Sequence, residues 1–205
     1  MAKPFSEVTS LAAPLLRDNV DTDQIIPSRE MRTTGKTGLA DGLFAGWRYL
    51  GTSGREPDPA FVLNDPRFSQ TQVILGGRNF GCGSSREHAV WALSEYGIRA
   101  ILAESFAPIF AGNCVRNGIV PIALEGRIIE AIADADAPVT IRLDEQVVEV
   151  AGHWRWPFAI DGEAKAMLSQ GLDSIDLTLQ LGAEIAAWQQ RDKVERPWIY
   201  LEKET

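Results

Sequence analysis

The order of apolar runs and turn signals between residues 73 and 122 constrains this chain more than any other feature. Val73–Leu75 is a short β-favouring run closed by Gly76-Gly77. Ser85–Tyr96 follows with helical spacing, with Ala89, Leu93 and Tyr96 on one face. Gly97 fits the position just past a helix end, where a left-handed residue is favoured. Ile98–Ala103 reads as a second strand. Phe106–Arg116 carries Phe106, Ile109, Phe110 and Cys114 at helical intervals, Asn117-Gly118 stops it, and Ile119–Ile122 is a third strand. This β-α-β-α-β order predicts a parallel sheet, because parallel neighbours need long crossovers and those are right-handed. An α/β fold class follows.

Around that core, Arg127–Ala133 reads as a short helix, Val139–Leu143 and Val147–Val150 as a hairpin across Asp144-Glu145, and Trp154–Ile160 as a further strand. Ala164–Ser169, ending at Gly171, and Ala183–Gln190 are helical. Upstream stand strand-like Val8–Leu16, turn-rich Asp18–Pro27 and the stretch Arg29–Gly54, which reads as a long loop. Loops of this length in a compact domain are commonly functional. Its Gly, Thr and Arg content predicts few apolar anchors and poor order without a partner. No repeat, low-complexity tract or charge run marks a linker, so the expectation is one domain over residues 1–205 with a helical C-terminal extension.

A net charge of -8 repels a phosphate backbone, which argues against nucleic acid as a partner. No apolar run approaches the roughly 18 residues of a membrane span, and Leu11–Leu16 is too short for a signal-peptide core, so the chain reads as cytosolic with no membrane partner. Two cysteines and two histidines are too few for most self-contained zinc or iron-sulfur sites.

Chemistry concentrates in Arg78-Asn79-Phe80-Gly81-Cys82-Gly83-Ser84-Ser85-Arg86-Glu87-His88, between a predicted strand and a predicted helix. Backbone N–H groups at a helix start, brought close by Gly81 and Gly83, form an anion site, and Arg86 adds a fork suited to carboxylate or phosphate. Ser84-Ser85-Arg86-Glu87 also matches a capping box, in which serine and glutamate only satisfy helix-end donors. Capping alone does not explain the convergence of these residues at the carboxyl end of a parallel strand, where open α/β sheets place ligands. The Walker pattern is absent, and Gly-x-Gly-x-x-Gly fails at Arg86. Cys82 reads as an activated thiolate or, more simply, as a small hydrophobe under the loop; His88 reads as a base, a charge partner or a packed ring. In Asn19-Val20-Asp21-Thr22-Asp23-Gln24-Ile25-Ile26-Pro27-Ser28, the Asp-x-Asp pair has three readings. It can bind a divalent ion, set one carboxylate beside a reactive group while the other holds a turn, or serve the turn alone.

Asn19–Pro27, Asn79–Ala89 and Gly171-Leu172-Asp173-Ser174-Ile175-Asp176-Leu177-Thr178 together closely resemble the small subunits of bacterial 3-isopropylmalate dehydratase, the swivelling-domain part of the aconitase superfamily. Leu43-Phe44 with Trp47-Arg48, Phe61–Asn64, Ser105-Phe106-Ala107, Ile109-Phe110 and Gly112-Asn113 agree with it, so the resemblance spans nearly the whole chain. It implies a β/β/α three-layer domain docked on a separate large subunit that holds a [4Fe-4S] cluster, with no cofactor bound by this chain. It also implies the conversion of 2-isopropylmalate to 3-isopropylmalate in leucine biosynthesis. That reaction needs a base on a proton next to a carboxylate, a Lewis acid on the departing hydroxyl and donors for the carboxylates.

By the same resemblance Ser84 is the serine whose alkoxide takes and returns the proton, Ser85 and Arg86 contact substrate carboxylate, and Asp23 is an active-site aspartate. The later position of its Asp-x-x-Ser pattern is Ile26, followed by Pro27 and Ser28. Lys36 falls where relatives carry a basic residue able to reach a substrate carboxylate. Glu30 and Met31 stand where the family reads the substrate side chain, often with an aromatic and an aliphatic residue. A charged Glu30 is a poor neighbour for an isopropyl group unless it points to solvent. Another alkylmalate, or a non-catalytic anion-binding module of the same fold, are the alternatives.

Overall fold

The structure, a computed structural model, describes residues 2–31, 35–51, 54–150 and 154–200. Two four-stranded sheets are stacked. The first joins β2 (Ala12–Leu15), β3 (Val73–Gly76), β4 (Ala100–Ala103) and β5 (Val120–Ala123) in that order, all parallel. The second joins β1 (Glu7–Ser10), β6 (Val139–Arg142), β7 (Val147–Val150) and β8 (Trp154–Pro157), all antiparallel. Helices α3 (His88–Tyr96) and α4 (Pro108–Arg116) form the two crossovers between β3, β4 and β5.

Side-chain alternation along the parallel strands builds the layers. Val73, Leu75, Ala100, Leu102, Val120 and Ile122 share an apolar cluster with Val8, Val139, Ile141, Val148 and Val150 of the antiparallel sheet. Ile74, Ile101 and Ala103 point the other way, into a cluster with Val90 and Leu93 of α3 and Phe110 and Cys114 of α4. The layers are therefore sheet, sheet, helices. Strands buried on both faces read as unbroken apolar runs, which is why β3 and β4 are visible in the sequence. Enclosing a side chain such as Leu102 stabilises the stack by about 1.5–3 kcal/mol. α5 (Gly126–Asp134) adds Ile129 and Ile132 to the inter-sheet cluster.

Three expectations are corrected. Val8–Leu16 is not one strand: it breaks at Leu11 and feeds β1 to one sheet and β2 to the other. The helix expected from Ser85 begins at His88. The stretch Arg29–Gly54, of which 32–34 and 52–53 lie outside the described residues, is apolar where it matters. Leu39, Leu43 and Phe44 are fully enclosed in the helix-side core, and the segment holds a short helix, α2 (Ala45–Arg48). Phe44 is also stacked on Trp47 at 5.9 Å between ring centroids.

Asp18–Pro27 contains α1 (Thr22–Ile25). Beyond the sheets, α6 (Gly162–Gln170) ends at left-handed Gly171, and Phe5 N–H donates to the Leu168 carbonyl at 2.9 Å. α7 (Ser174–Leu179) and α8 (Gly182–Glu195) follow; Asp192 is the one buried side chain on α8, held by Arg196 and Tyr200. Among the described residues, no helix is long and apolar enough to cross a membrane.

Candidate functional site

The parallel pairing of β2 with β3 continues past both strands. Asn19 N–H donates to the Arg78 carbonyl (2.8 Å), Gly81 N–H to Val20 (2.7 Å) and Thr22 N–H to Cys82 (2.9 Å), and the Thr22 hydroxyl donates to the Ser84 carbonyl (3.0 Å). Asn19 and Asn79 both adopt left-handed backbone, φ 55° and 54°, a conformation asparagine tolerates well, and the Asn79 amide donates to Asn19 Oδ1 at 2.9 Å. The loop after β4 joins them: Phe80 N–H donates to the Ser105 carbonyl (2.9 Å) and Ala107 N–H to Phe80 (3.0 Å). Three loops at the carboxyl ends of β2, β3 and β4 thus meet at one place.

Glycine is required at the crossing. A Cβ on Gly81, φ 77°, would sit 2.0 Å from the Phe110 ring, so only glycine lets α4 begin this close to the loop. The result is a pocket of about 90 Å³ with Ser84, Ser85 and Arg86 on one wall and Pro108, Ile109 and Asn113 on the other. α4 opens with Pro108 and has no side-chain cap, so its first-turn N–H groups and the positive end of its dipole are available at the pocket.

Ser84 does not cap α3. The residue before that helix is Glu87, which makes no capping hydrogen bond, and Arg86 N–H instead donates to the Ser84 carbonyl at 2.7 Å in a γ-turn. The capping-box reading of Ser84–Glu87 is thereby overturned: the tie from Thr22 to the Ser84 carbonyl holds these residues in a loop ahead of the helix.

The Asp-x-Asp pair divides its labour. Asp21 caps α1, accepting from Gln24 N–H at 2.7 Å while Gln24 Oε1 accepts from Asp21 N–H at 3.0 Å. Asp23 is ion-paired with Arg86, which also reaches the Ser28 hydroxyl at 3.5 Å. Ser28 thus stands where Ile26 could not. Both partners are partly exposed, so the pair is worth about 1 kcal/mol or less and a substrate carboxylate can displace it.

Other candidates fall elsewhere. Burial, with Asp21 nearby, pushes the Cys82 thiol up, which favours the small-hydrophobe reading over a thiolate. The His88 ring lies 4.6 Å from that of Trp91. Lys36 donates to Asn117 Oδ1 at 3.2 Å and lies over Trp91 at 5.3 Å, at the opposite end of α4. Glu30 does not point to solvent: it is buried, with Arg55 at 2.6 Å and Arg29 at 3.4 Å. Met31 packs on the helix-side core. The structure brings together Ser84, Ser85, Arg86 and Asp23, and leaves Lys36, Glu30 and Met31 outside the pocket lining. Thr22, Pro108 and Asn113 show no role in the sequence alone, although a proline opening a helix after a strand marks a helix start near the sheet's carboxyl edge.

Residues 2–127 match the aconitase C-terminal domain family. The chain is 53% identical to a 3-isopropylmalate dehydratase small subunit of Cupriavidus necator over 207 residues, covering 98% of this chain and 99% of that one. A small subunit of the same name from Rhodospirillum centenum is 44% identical, covering 95% and 97%. A crystal structure of 3-isopropylmalate dehydratase from Methanocaldococcus jannaschii superposes with a TM-score of 0.66 at 29% identity, covering 88% of this chain and 99% of that one. With the three-layer stack and the Ser84 loop already described, these likenesses place the chain in the 3-isopropylmalate dehydratase small-subunit family, within the aconitase superfamily.

Proposed function

We propose that the chain is the small subunit of a hydro-lyase that interconverts 2-isopropylmalate and 3-isopropylmalate by dehydration and rehydration, in the cytosol and as a step of leucine biosynthesis. The observation that carries the site is the convergence of Ser84, Ser85 and Arg86 on one pocket with the start of α4, and Asp23 on Arg86. In this reading the Ser84 alkoxide takes the proton from the carbon beside a substrate carboxylate. The electron pair left behind forms the carbon-carbon double bond as the neighbouring hydroxyl leaves, and rehydration reverses the roles with the hydroxyl on the other carbon. A serine of ordinary acidity is a poor base; the positive end of α4 and the Arg86 guanidinium lower the cost of its alkoxide. Ser85 and Arg86 hold the carboxylate, and Asp23 keeps Arg86 aimed until substrate replaces it.

The two thiols do not fit a [4Fe-4S] cluster, which takes three or four thiolates, and burial pushes both up. We assign the cluster of this reaction to a large subunit. Lys36 joins the substrate only if the segment around it moves, and Glu30 acts by bracing its loop through Arg55.

The test is an assay of the chain assembled anaerobically with its large subunit, against isopropylmalate and methylmalate. Turnover by the pair with isopropylmalate preferred, and none by this chain alone, is the expected result. Turnover by the chain alone, or a pair that acts only on methylmalate, overturns the reading.

A further inference from the structure

A second cavity, of about 280 Å³, opens at the C-terminal end of α4, and its lining shares no residue with that of the Ser84 pocket. Lys3, Lys36, Arg99 and Arg116 line it, with Asn117 and one carboxylate, Asp173. An adjoining cavity of about 430 Å³ shares Lys3 and Arg99.

The charge balance here is anomalous. The chain carries a net -8, and several of its arginines elsewhere are matched: Arg55 with Glu30, Arg78 with Asp18, Arg142 with Glu7 and Glu149. None of the four cations in this cleft has a carboxylate within ion-pair distance among the described residues. Arg99 is partly buried and donates to the backbone carbonyls of Lys3 and Pro4 at 3.0 Å each, and burial pulls its guanidinium below the ordinary value. Lys36 is turned to Asn117 and Arg116 to Asn113, both neutral amides. Asp173 is engaged in capping α7, accepting from Asp176 N–H at 2.8 Å.

Four like charges facing one concave space repel one another, and a low-dielectric wall strengthens that repulsion. An anion relieves it. The helix dipole explains a cation at the end of α4, as Arg116 and Lys36 are, but it does not explain Lys3 and Arg99, which lie on the N-terminal segment and the approach to β4.

We propose that this cleft binds a compact dianion, whose charge is carried by a phosphoryl group or by two carboxylates, at a site separate from the Ser84 pocket. Two donor types converge on it, planar guanidinium forks and flexible ammonium groups, while the Asn117 amide is already given to Glu87 Oε1 at 2.7 Å and to the Asn113 carbonyl at 2.9 Å. That mixture suits several acceptor oxygens close together, and a cavity of this volume holds a small metabolite.

Titration of the full chain with inorganic phosphate and, separately, succinate tests this, read by amide chemical shifts and by calorimetry. The expected result is saturable binding with shifts at Ser94 and Asn117 and none at Ser85 and Arg86. Tighter phosphate identifies the phosphoryl source, tighter succinate the dicarboxylate. Lys3→Gln, a surface change, should weaken binding roughly tenfold without moving the unfolding midpoint; Arg116→Gln should weaken it as much and also lower the midpoint through the lost bond to buried Asn113, whereas Arg78→Gln should leave binding unchanged. The proposal is overturned by an absence of saturation with both anions, by shifts confined to the Ser84 loop, or by variants that bind as the parent does.

Discussion

At its first turn α4 meets Arg86, whose guanidinium is matched by Asp23; at its last turn it stands beside Lys36, Arg99 and Arg116, with no carboxylate paired to them among the described residues. The same helix therefore presents two electrostatic settings about 13 Å apart, its nine residues rising 1.5 Å each. At the N-terminal end the dipole favours negative charge, which suits an alkoxide and a carboxylate. At the C-terminal end it favours cations, and the sequence has supplied more of them than the dipole needs. The difference separates a site prepared for chemistry, with its arginine held in place by an exchangeable partner, from a cleft prepared only to attract charge.

The comparison breaks most readily at Gly81. Gly81→Ala forces a methyl into the Phe110 ring at a left-handed backbone position, and should cost about 3 kcal/mol, with denaturant unfolding as the measurement. An unchanged midpoint would mean that the start of α4 is not pinned to the loop. Next in size, Arg86→Gln removes a charged donor from the substrate carboxylate. It should raise KM of the assembled enzyme roughly tenfold to a hundredfold, while dianion binding in the distant cleft stays as it was.

The smallest effect concerns Glu95, which serves the cationic end. Burial raises its carboxyl, but N–H donors from Gly38, Leu39 and Ala40 prevail and hold it below the ordinary glutamate value. A depressed carboxyl contributes stability that is full above its unfolded value and lost as pH falls through the folded one. Glu95→Gln should cost about 1 kcal/mol at neutral pH and converge with the parent in acid, with faster amide exchange at residues 38–40 and none gained at Ser84. A stability difference that persists unchanged into acid would contradict this.

The sequence made the parallel core legible because β3, β4 and β5 pair through apolar runs and their crossover helices stop at Gly97 and Asn117-Gly118. It misled where tertiary contacts decide. Val8–Leu16 alternates well enough for one strand, but no local pattern tells Leu11 that its two flanks join different sheets. Ser84–Glu87 spells a capping box, and the Thr22 tie from sixty residues away prevents it from forming. Leu39, Leu43 and Trp47 are spaced four apart, but Gly38, Gly42 and Gly46, one before each, break the helical signal, so the enclosure of Leu39, Leu43 and Phe44 is not legible in the sequence. For the site, Ser84, Ser85, Arg86 and Asp23 are legible because they lie in two dense motifs; the destination of Lys36 depends on Asn117, eighty-one positions away, a contact no spacing encodes.

The central claim is that the Ser84 hydroxyl moves the substrate proton. Ser84→Gly, measured in the assembled, cluster-loaded complex, tests it most directly. The hydroxyl makes no capping bond, so the variant should fold and assemble with a stability change within about 0.5 kcal/mol. Turnover should fall on the order of a hundredfold to ten-thousandfold. Near-normal turnover in a folded, assembled Ser84→Gly complex would contradict the account and move the base elsewhere.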